Sequence, residues 1–202
     1  MKSFLLPCFA LLLLAACSSE PAKTVAPVVK EPEFIPGRTA FQKMYAAGRG
    51  WHADAQVFRV TSALTKDSKG HDGKSAVWQA WFASASARSS KPYTWCGTNA
   101  SDVERGISWG GEDSFSPTNT STHTFDSAFL KADSDVAFQV AMKHGGAKLL
   151  EKDAEQPVMY LLEWNGQDNA PAWHVIFGES RTTYKLSVLV NASSGEYLRA
   201  EK

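Results

Sequence analysis

The stretch "DSDVAFQVAMKHGG" (residues 133–146) decides how this 202-residue chain is read. Asp133, Ser134 and Asp135 are cap-type residues, whose side chains satisfy the free N–H groups of a first helical turn. Val136, Ala137, Val140 and Ala141 follow at helical spacing, as a stripe laid on a core. Gly145-Gly146 is a stop. Three alternating runs come next. "PVMYLLEW" (157–164) sets Val158, Tyr160, Leu162 and Trp164 on one face, and "NGQDNAP" (165–171) reads as a hairpin loop. "AWHVIFGE" (172–179) aligns Trp173, Val175 and Phe177, leaving His174 on the other face. "YKLSVLVN" (184–191) aligns Tyr184, Leu186, Val188 and Val190. The order is a helix followed by a three-strand meander.

The first half has the same grammar. "IPGRTAFQKMYAAGRG" (35–50) spaces Thr39 and Gln42 as a capping box, and its stripe is Ala40, Phe41, Met44 and Tyr45. Each of these lies 96 positions before its counterpart in the second helix. "AQVFRVTSAL" (55–64) is strand-like. The polar loop "TKDSKGHDGKS" (65–75) leads to "AVWQAWFASASA" (76–87), then "PYTWCG" (92–97) and "RGISWGG" (105–111). Trp78 and Phe82 fall 95 positions before Trp173 and Phe177. The near-constant offset points to a diverged duplication. In the aromatic run, Trp78 and Phe82 share a strand face and Trp81 takes the other, as core or as a contact surface.

The expected fold class is α+β, with two similar helix-plus-three-strand antiparallel units that can share one sheet. The expected organisation is a signal segment at 1–16, a proline-rich tether at 17–37, a first unit at 38–112, a connecting loop at 113–127 and a second unit at 128–202. A unit of about 65 residues is marginal alone, and two packed together bury a larger share of their surface.

"VLVNASSGEYL" (188–198) carries a resemblance. It is similar to the closing motif of PepSY-type domains, an apolar strand running into Asp-Ala-x-Thr-Gly-Glu and a further apolar pair. Here Asn191 stands for Asp and Ser194 for Thr, beside Ala192, Gly195, Glu196 and Tyr197-Leu198. The resemblance covers roughly residues 130–200. It implies a family found in protease propeptides and envelope proteins, in which inhibition or chaperoning of a protease is suspected. Physically, Asn191 and Ser194 can bond the turn backbone, and Gly195 tolerates positive φ.

The N-terminus shows where the chain goes. Lys2 precedes an apolar run, Phe4 to Ala16, of about 13 residues, short of the roughly 20 that span a bilayer. It has the proportions of a signal-peptide core. Leu14-Ala15-Ala16-Cys17 resembles the bacterial lipobox. That resemblance implies cleavage before Cys17, peptidase recognition of Leu14, Ala15 and Ala16, and acylation of Cys17. Two or more acyl chains anchor stably. The expected partner is therefore a lipid membrane, reached through acylated Cys17. With Ser18 next, the pattern resembles the one sorted to the outer membrane of a diderm envelope. An ordinary secretory signal with an incidental cysteine is the plainer alternative.

Composition limits the rest. Basic and acidic residues number 21 each, and 20 against 21 without the signal, so no nucleic-acid footprint is present. Cys8 leaves with the signal and Cys17 takes lipid, so Cys96 has no partner for a disulfide in the mature chain. The five histidines, His52, His71, His123, His144 and His174, show no catalytic or metal-ligand spacing. His71-Asp72 sits in a lysine-rich loop. No metal, cofactor or catalytic residue is expected. The leading expectation is a non-enzymatic envelope lipoprotein that binds an envelope protein, modulating a protease or envelope assembly. The alternatives are a thiol-dependent hydrolase using Cys96, or a carrier of a small ligand or lipid.

Overall fold

The computed structural model describes residues 30–66, 68–99, 102–119 and 122–202. The signal segment, with Leu14, Ala15, Ala16 and Cys17, and the tether as far as residue 29 lie outside the described residues. The chain forms β1 (Ile35–Pro36), α1 (Gly37–Trp51), β2 (Gln56–Ser62), β3 (Lys74–Ser75), β4 (Val77–Ser84), β5 (Ser89–Cys96), β6 (Gly106–Trp109) and β7 (Asp113–Ser114). A 3-10 turn (Ser127–Phe129) leads into α2 (Ser134–Ala141), a wide turn (Met142–Gly146) and α3 (Ala147–Lys152). Then come β8 (Val158–Asn165), β9 (Ala170–Gly178), β10 (Tyr184–Asn191) and β11 (Tyr197–Glu201).

This is an α+β fold with few helices and one large antiparallel sheet. Nine strands run in the order β11-β10-β9-β8-β2-β4-β5-β6, with β7 pairing beside β6 on β5. β1 and β3 form a separate two-stranded pair. The halves meet at β2 and β8, where Val60 faces Leu162. Each half contributes four meandering strands where the sequence indicates three, because short β6 and β11 extend the two ends.

The registers of the halves correspond. In β4–β5, Trp78 faces Trp95, Ala80 faces Tyr93 and Phe82 faces Lys91. In β9–β10, Trp173 faces Val190, Val175 faces Val188 and Phe177 faces Leu186. Every one of these positions moves by 95. Across β2–β4 and β8–β9 the pairs Val60–Ala80 and Tyr160–Val175 correspond, so β2 and β8 are 100 apart. The difference of five lies in the longer β2–β4 connection, which carries β3 and Gly70–Gly73.

The helices follow the same arrangement with a correction to the expected stripe. α1 buries Gly37, Ala40, Phe41 and Met44, and α2 buries Ser134, Ala137, Phe138 and Ala141. The offset is 97, not 96. Phe138 takes the core position, while Val136 is 45% exposed. A shift of one residue turns a helix by about 100°, and the bulkier aromatic side chain wins the interior. Gly145, at φ 115°, breaks the helical path within the wide turn, and the chain restarts as α3 where the sequence suggests a stop. The wide turn absorbs one residue. Gly146 therefore lies against Phe177 as Gly48 lies against Phe82, 98 and 95 positions apart.

The centre of the molecule is aromatic. Trp78, Tyr160, Phe82, Trp173 and Phe177 are each fully buried. A large aromatic side chain removes about 150–250 Å² from water, or about 4–6 kcal/mol gross at ~25 cal/mol/Å². Trp78 and Trp173 meet edge to face, 6.2 Å between centroids. Their indole N–H groups bond equivalent carbonyls just before each helix, Ile35 at 2.9 Å and Ala132 at 3.0 Å. Gly37 lies between the two rings, where a Cβ would come within 2.8 Å of Trp78.

The capping of α1 differs from the capping box read at Thr39 and Gln42. Pro36 provides no side-chain cap. The second half caps α1 instead. Asp133 accepts from Arg38 N at 2.6 Å, Thr39 N at 3.2 Å and Thr39 Oγ1 at 3.2 Å, and also from Ser134 N at 2.7 Å. Ser134 Oγ accepts from Gly37 N at 2.7 Å and donates to the Gly73 carbonyl at 2.5 Å. Two helix N-termini, each carrying partial positive charge, converge on one carboxylate.

Residues 30–37, read as tether, are fastened to the domain. Glu33 N donates to the Gly97 carbonyl, Arg105 holds the Lys30 and Glu31 carbonyls, and β1 pairs with β3. In the connecting loop, β7 joins β5 and Phe125 bridges to Val57. Among the described residues no helix is long and apolar enough to cross a membrane.

Candidate protein-binding surface

Both helix systems pack on one face of the sheet. The opposite face of the β2–β8 seam carries a charged cluster built by strand alternation. Val60 and Leu162 point into the core, so Arg59 and Glu163, paired across the seam, point away from it. Glu163 is the hub. Arg181 reaches it from the β9–β10 turn at 2.7 Å, Arg59 at 3.3 Å, and His174 Nε2 lies at 3.9 Å. The Glu163 side chain is 17% exposed and that of Arg181 51%. The buried Nε of Arg59 has no hydrogen-bond partner.

Burial pushes the His174 imidazole below its usual pKa, and Glu163 opposes that shift. Arg181 works with the desolvation, and Glu201 and Arg199 act in opposite directions. Desolvation outweighs the opposing charge of Glu163, so the site favours the neutral imidazole. Arg199 bonds Asp168 at 2.7 Å and Glu201 at 3.2 Å.

Towards the first half this face becomes aromatic. Trp81, opposite Arg59 on β4, is half-buried. A bulge between Val57 and Arg59 sets Phe58 against Phe115, with ring centroids 6.4 Å apart. A shallow pocket of about 210 Å³ joins Phe58, Arg59, Glu163, Trp164 and Arg181 to Thr122 and His123. Aromatic rings and arginines are among the residue types that carry binding energy at protein interfaces, and the Arg59 and Arg181 side chains remain 42% and 51% exposed.

Other candidates fall elsewhere. Cys96 ends β5, 1% exposed, with its thiol donating to the Thr98 carbonyl at 3.2 Å. His71 Nε2 lies 2.7 Å from the Gln156 carbonyl, and His144 stacks on Tyr197 at 3.7 Å. Asp54 clasps the β4–β5 turn by accepting from Ser84 Oγ and Ser86 N, and these bonds lower its pKa to about 2. The "NASSGE" turn has the geometry its residues imply. Asn191 Oδ1 accepts from Ser193 N and Ser194 N, and Gly195 has φ 78°. No group of three or more His, Cys, Asp or Glu able to hold a metal occurs among the described residues.

Sequence reasoning passed over Arg59, Glu163 and Arg181. The signal available was one charge inside each of two apolar strands, in "VFRV" and "YLLEW". It becomes a site only once β2 and β8 are known to be neighbours.

No family model and no curated protein matches the chain. A solved structure that is similar to it is a crystal structure of a candidate lipoprotein from Clostridium difficile 630. The two share 10% identity and a TM-score of 0.50, covering 85% of this chain and 95% of that one. The likeness is one of fold, shared across nearly the whole of the other protein.

Proposed function

We propose that this protein is a lipid-anchored envelope lipoprotein, acylated at Cys17, that works as a non-catalytic module binding another envelope protein. Its body is read as a duplicated PepSY-like unit. The matched registers and the paired Trp–carbonyl bonds support the duplication, and the closing turn at Asn191–Glu196 supports the PepSY likeness. The Leu14-Ala15-Ala16-Cys17 pattern supports lipidation, and the similar fold of a candidate lipoprotein agrees with it. In a diderm organism the location is the periplasmic face of the outer membrane.

The observation that carries the binding role is the one-sided layering. Helices cover one face of the sheet, and the other presents Trp81, Arg59, Glu163 and Arg181. Docking there would modulate a protease or an assembly step by occlusion and would need no chemistry from the module.

Two measurements test this. A palmitate analogue should label the wild-type chain and not Cys17→Ser. A photo-crosslinking residue in place of Trp81 should give a discrete adduct in cells, and the same residue in place of exposed Gln139 on α2 should not. Absence of label, or identical adduct patterns at both positions, overturns the reading. A thiol probe separates the enzymatic alternative, because modification of Cys96 in the folded protein faster than in the denatured one would favour it.

A further inference from the structure

The two ends of the nine-stranded sheet are unlike. β11 is defended by charge. Arg199 and Glu201 lie on it, Glu196 and Lys202 flank it, and Arg199 is tied to Asp168. Charged side chains on an edge discourage another strand from pairing. β6 reads Gly106-Ile107-Ser108-Trp109 without a charge and runs into Gly110-Gly111. Ile107 is 40% exposed and Trp109 64%. Among the described residues no strand pairs with its outer side.

The backbone phase adds to this. Gly110 N donates to the Pro92 carbonyl at 3.0 Å, and Thr94–Ser108 and Cys96–Gly106 continue the same register. Hydrogen-bonded and non-bonded pairs alternate in an antiparallel ladder. Ile107 and Trp109 therefore turn their N–H and C=O groups outward. The residues with exposed apolar side chains also hold the open backbone groups.

Charge completes the description. Residues 102–113 contain four acids, Asp102, Glu104, Glu112 and Asp113, all exposed, and one base, Arg105. The Arg105 guanidinium is engaged by the Lys30 and Glu31 carbonyls at 3.1 and 2.7 Å, and Glu112 meets Lys91 at 3.6 Å. An uncharged centre thus lies between acidic ends.

We propose that β6 takes up an extended segment of a partner protein as a further strand. That segment has β-branched or aromatic residues alternating at its centre and Lys or Arg at both ends. This rests on the reading of the protein as a binding module, and it names the surface and the chemistry recognised. The ladder supplies affinity, while Ile107, Trp109 and the flanking acids supply selectivity. A second copy of the chain fits poorly. A four-residue edge is short for the roughly 1,200 Å² of a stable interface, and the acidic ends of two such edges repel.

The test uses full-length protein in detergent and two end-blocked peptides, Lys-Arg-Val-Thr-Val-Thr-Val-Lys-Arg and its counterpart with Glu at all four charged places. The basic peptide should bind at least tenfold tighter and shift the amide resonances of Ile107 and Trp109. Ile107→Pro removes an outward N–H without breaking a bond to β5, and it should weaken binding tenfold or more with an unchanged circular dichroism spectrum. Trp109→Ala should weaken it several-fold, which gives a second variant if the proline perturbs folding. Equal affinity for the two peptides, shifts confined to other strands, or undiminished binding by both variants overturns the proposal. So does a concentration-dependent dimer that Ile107→Pro abolishes. Failure here alongside a Trp81-specific adduct removes the edge proposal alone, whereas loss of that adduct removes the wider reading.

Discussion

The two halves of the sheet share a plan on their helix side and part company on the other. At the offset of 95, core positions match in kind: Trp78 with Trp173, Phe82 with Phe177. On the opposite face Gln79, Trp81 and Thr94 are half-buried, while the corresponding His174, Ile176 and Leu189 are buried. The β4–β5 turn is clasped by Asp54. The corresponding β9–β10 turn sends Arg181 to Glu163. A core of matching pattern fixes the frame of both halves, and the outer face is more open in one half and buried in the other.

The largest test of that shared frame is the tryptophan pair. Trp78→Ala and Trp173→Ala should each cost about 3–5 kcal/mol in denaturant unfolding. Because the rings touch, the double variant should cost measurably less than the sum. Strict additivity would mean that the two halves hold their cores independently.

Next is the shared cap. Asp133→Ala removes acceptors from both helices and should cost about 2 kcal/mol, the upper range for a single cap. Thr39→Val, at the position the sequence suggests as a cap, should cost well under 1 kcal/mol. The reverse ranking would return the cap of α1 to its own half.

His174 sharpens the contrast in burial. Its folded pKa is depressed, chiefly by desolvation. The unfolded chain therefore takes up the proton first as pH falls through about 6.5, and stability declines below that value. The stabilisation is present above that pH. His174→Gln should flatten the stability–pH curve between about pH 7 and 5, and Gln79→His in the more open half should not add a comparable slope.

The smallest effect concerns Asp54. Its carboxyl carbon resonance should titrate near 2 in the folded protein, and Ser84→Ala should raise that midpoint. The depressed pKa stabilises the fold above the unfolded carboxylate pKa of about 3.9, and the contribution is lost as pH falls through about 2.

Much of this frame was legible in the residues. Period-two alternation identifies the inward residues, every second one from Val158 to Leu162 of β8, Trp173 to Phe177 of β9 and Leu186 to Val190 of β10. A bulge before Leu186 takes Tyr184 out of that pattern, and the Trp–Phe spacing marks corresponding strands in both halves. The helix stripe differs by one position because "DVAFQVA" is apolar on two overlapping faces, and only packing against β9 and β10 chooses Phe138 over Val136. The cap of α1 was not legible at all, because its acceptors lie more than ninety positions away. The same limit hid the seam cluster. Arg59 and Glu163 are 104 apart in the chain and become a pair only through the union of β2 with β8. Local patterns expose local bonds, whereas this molecule places its most informative polar groups where its halves join.

The carboxylate that serves two helices also has a consequence in time. A chain emerging amino end first presents Gly37, Arg38 and Thr39 long before Asp133 and Ser134 exist as partners. Closing so distant a contact carries a loop-entropy cost and slows folding. Until then the leading N–H groups of the first helix are left to water, and α1 gains its cap only when the two halves meet. The finished domain then forms in one cooperative step when the second helix arrives.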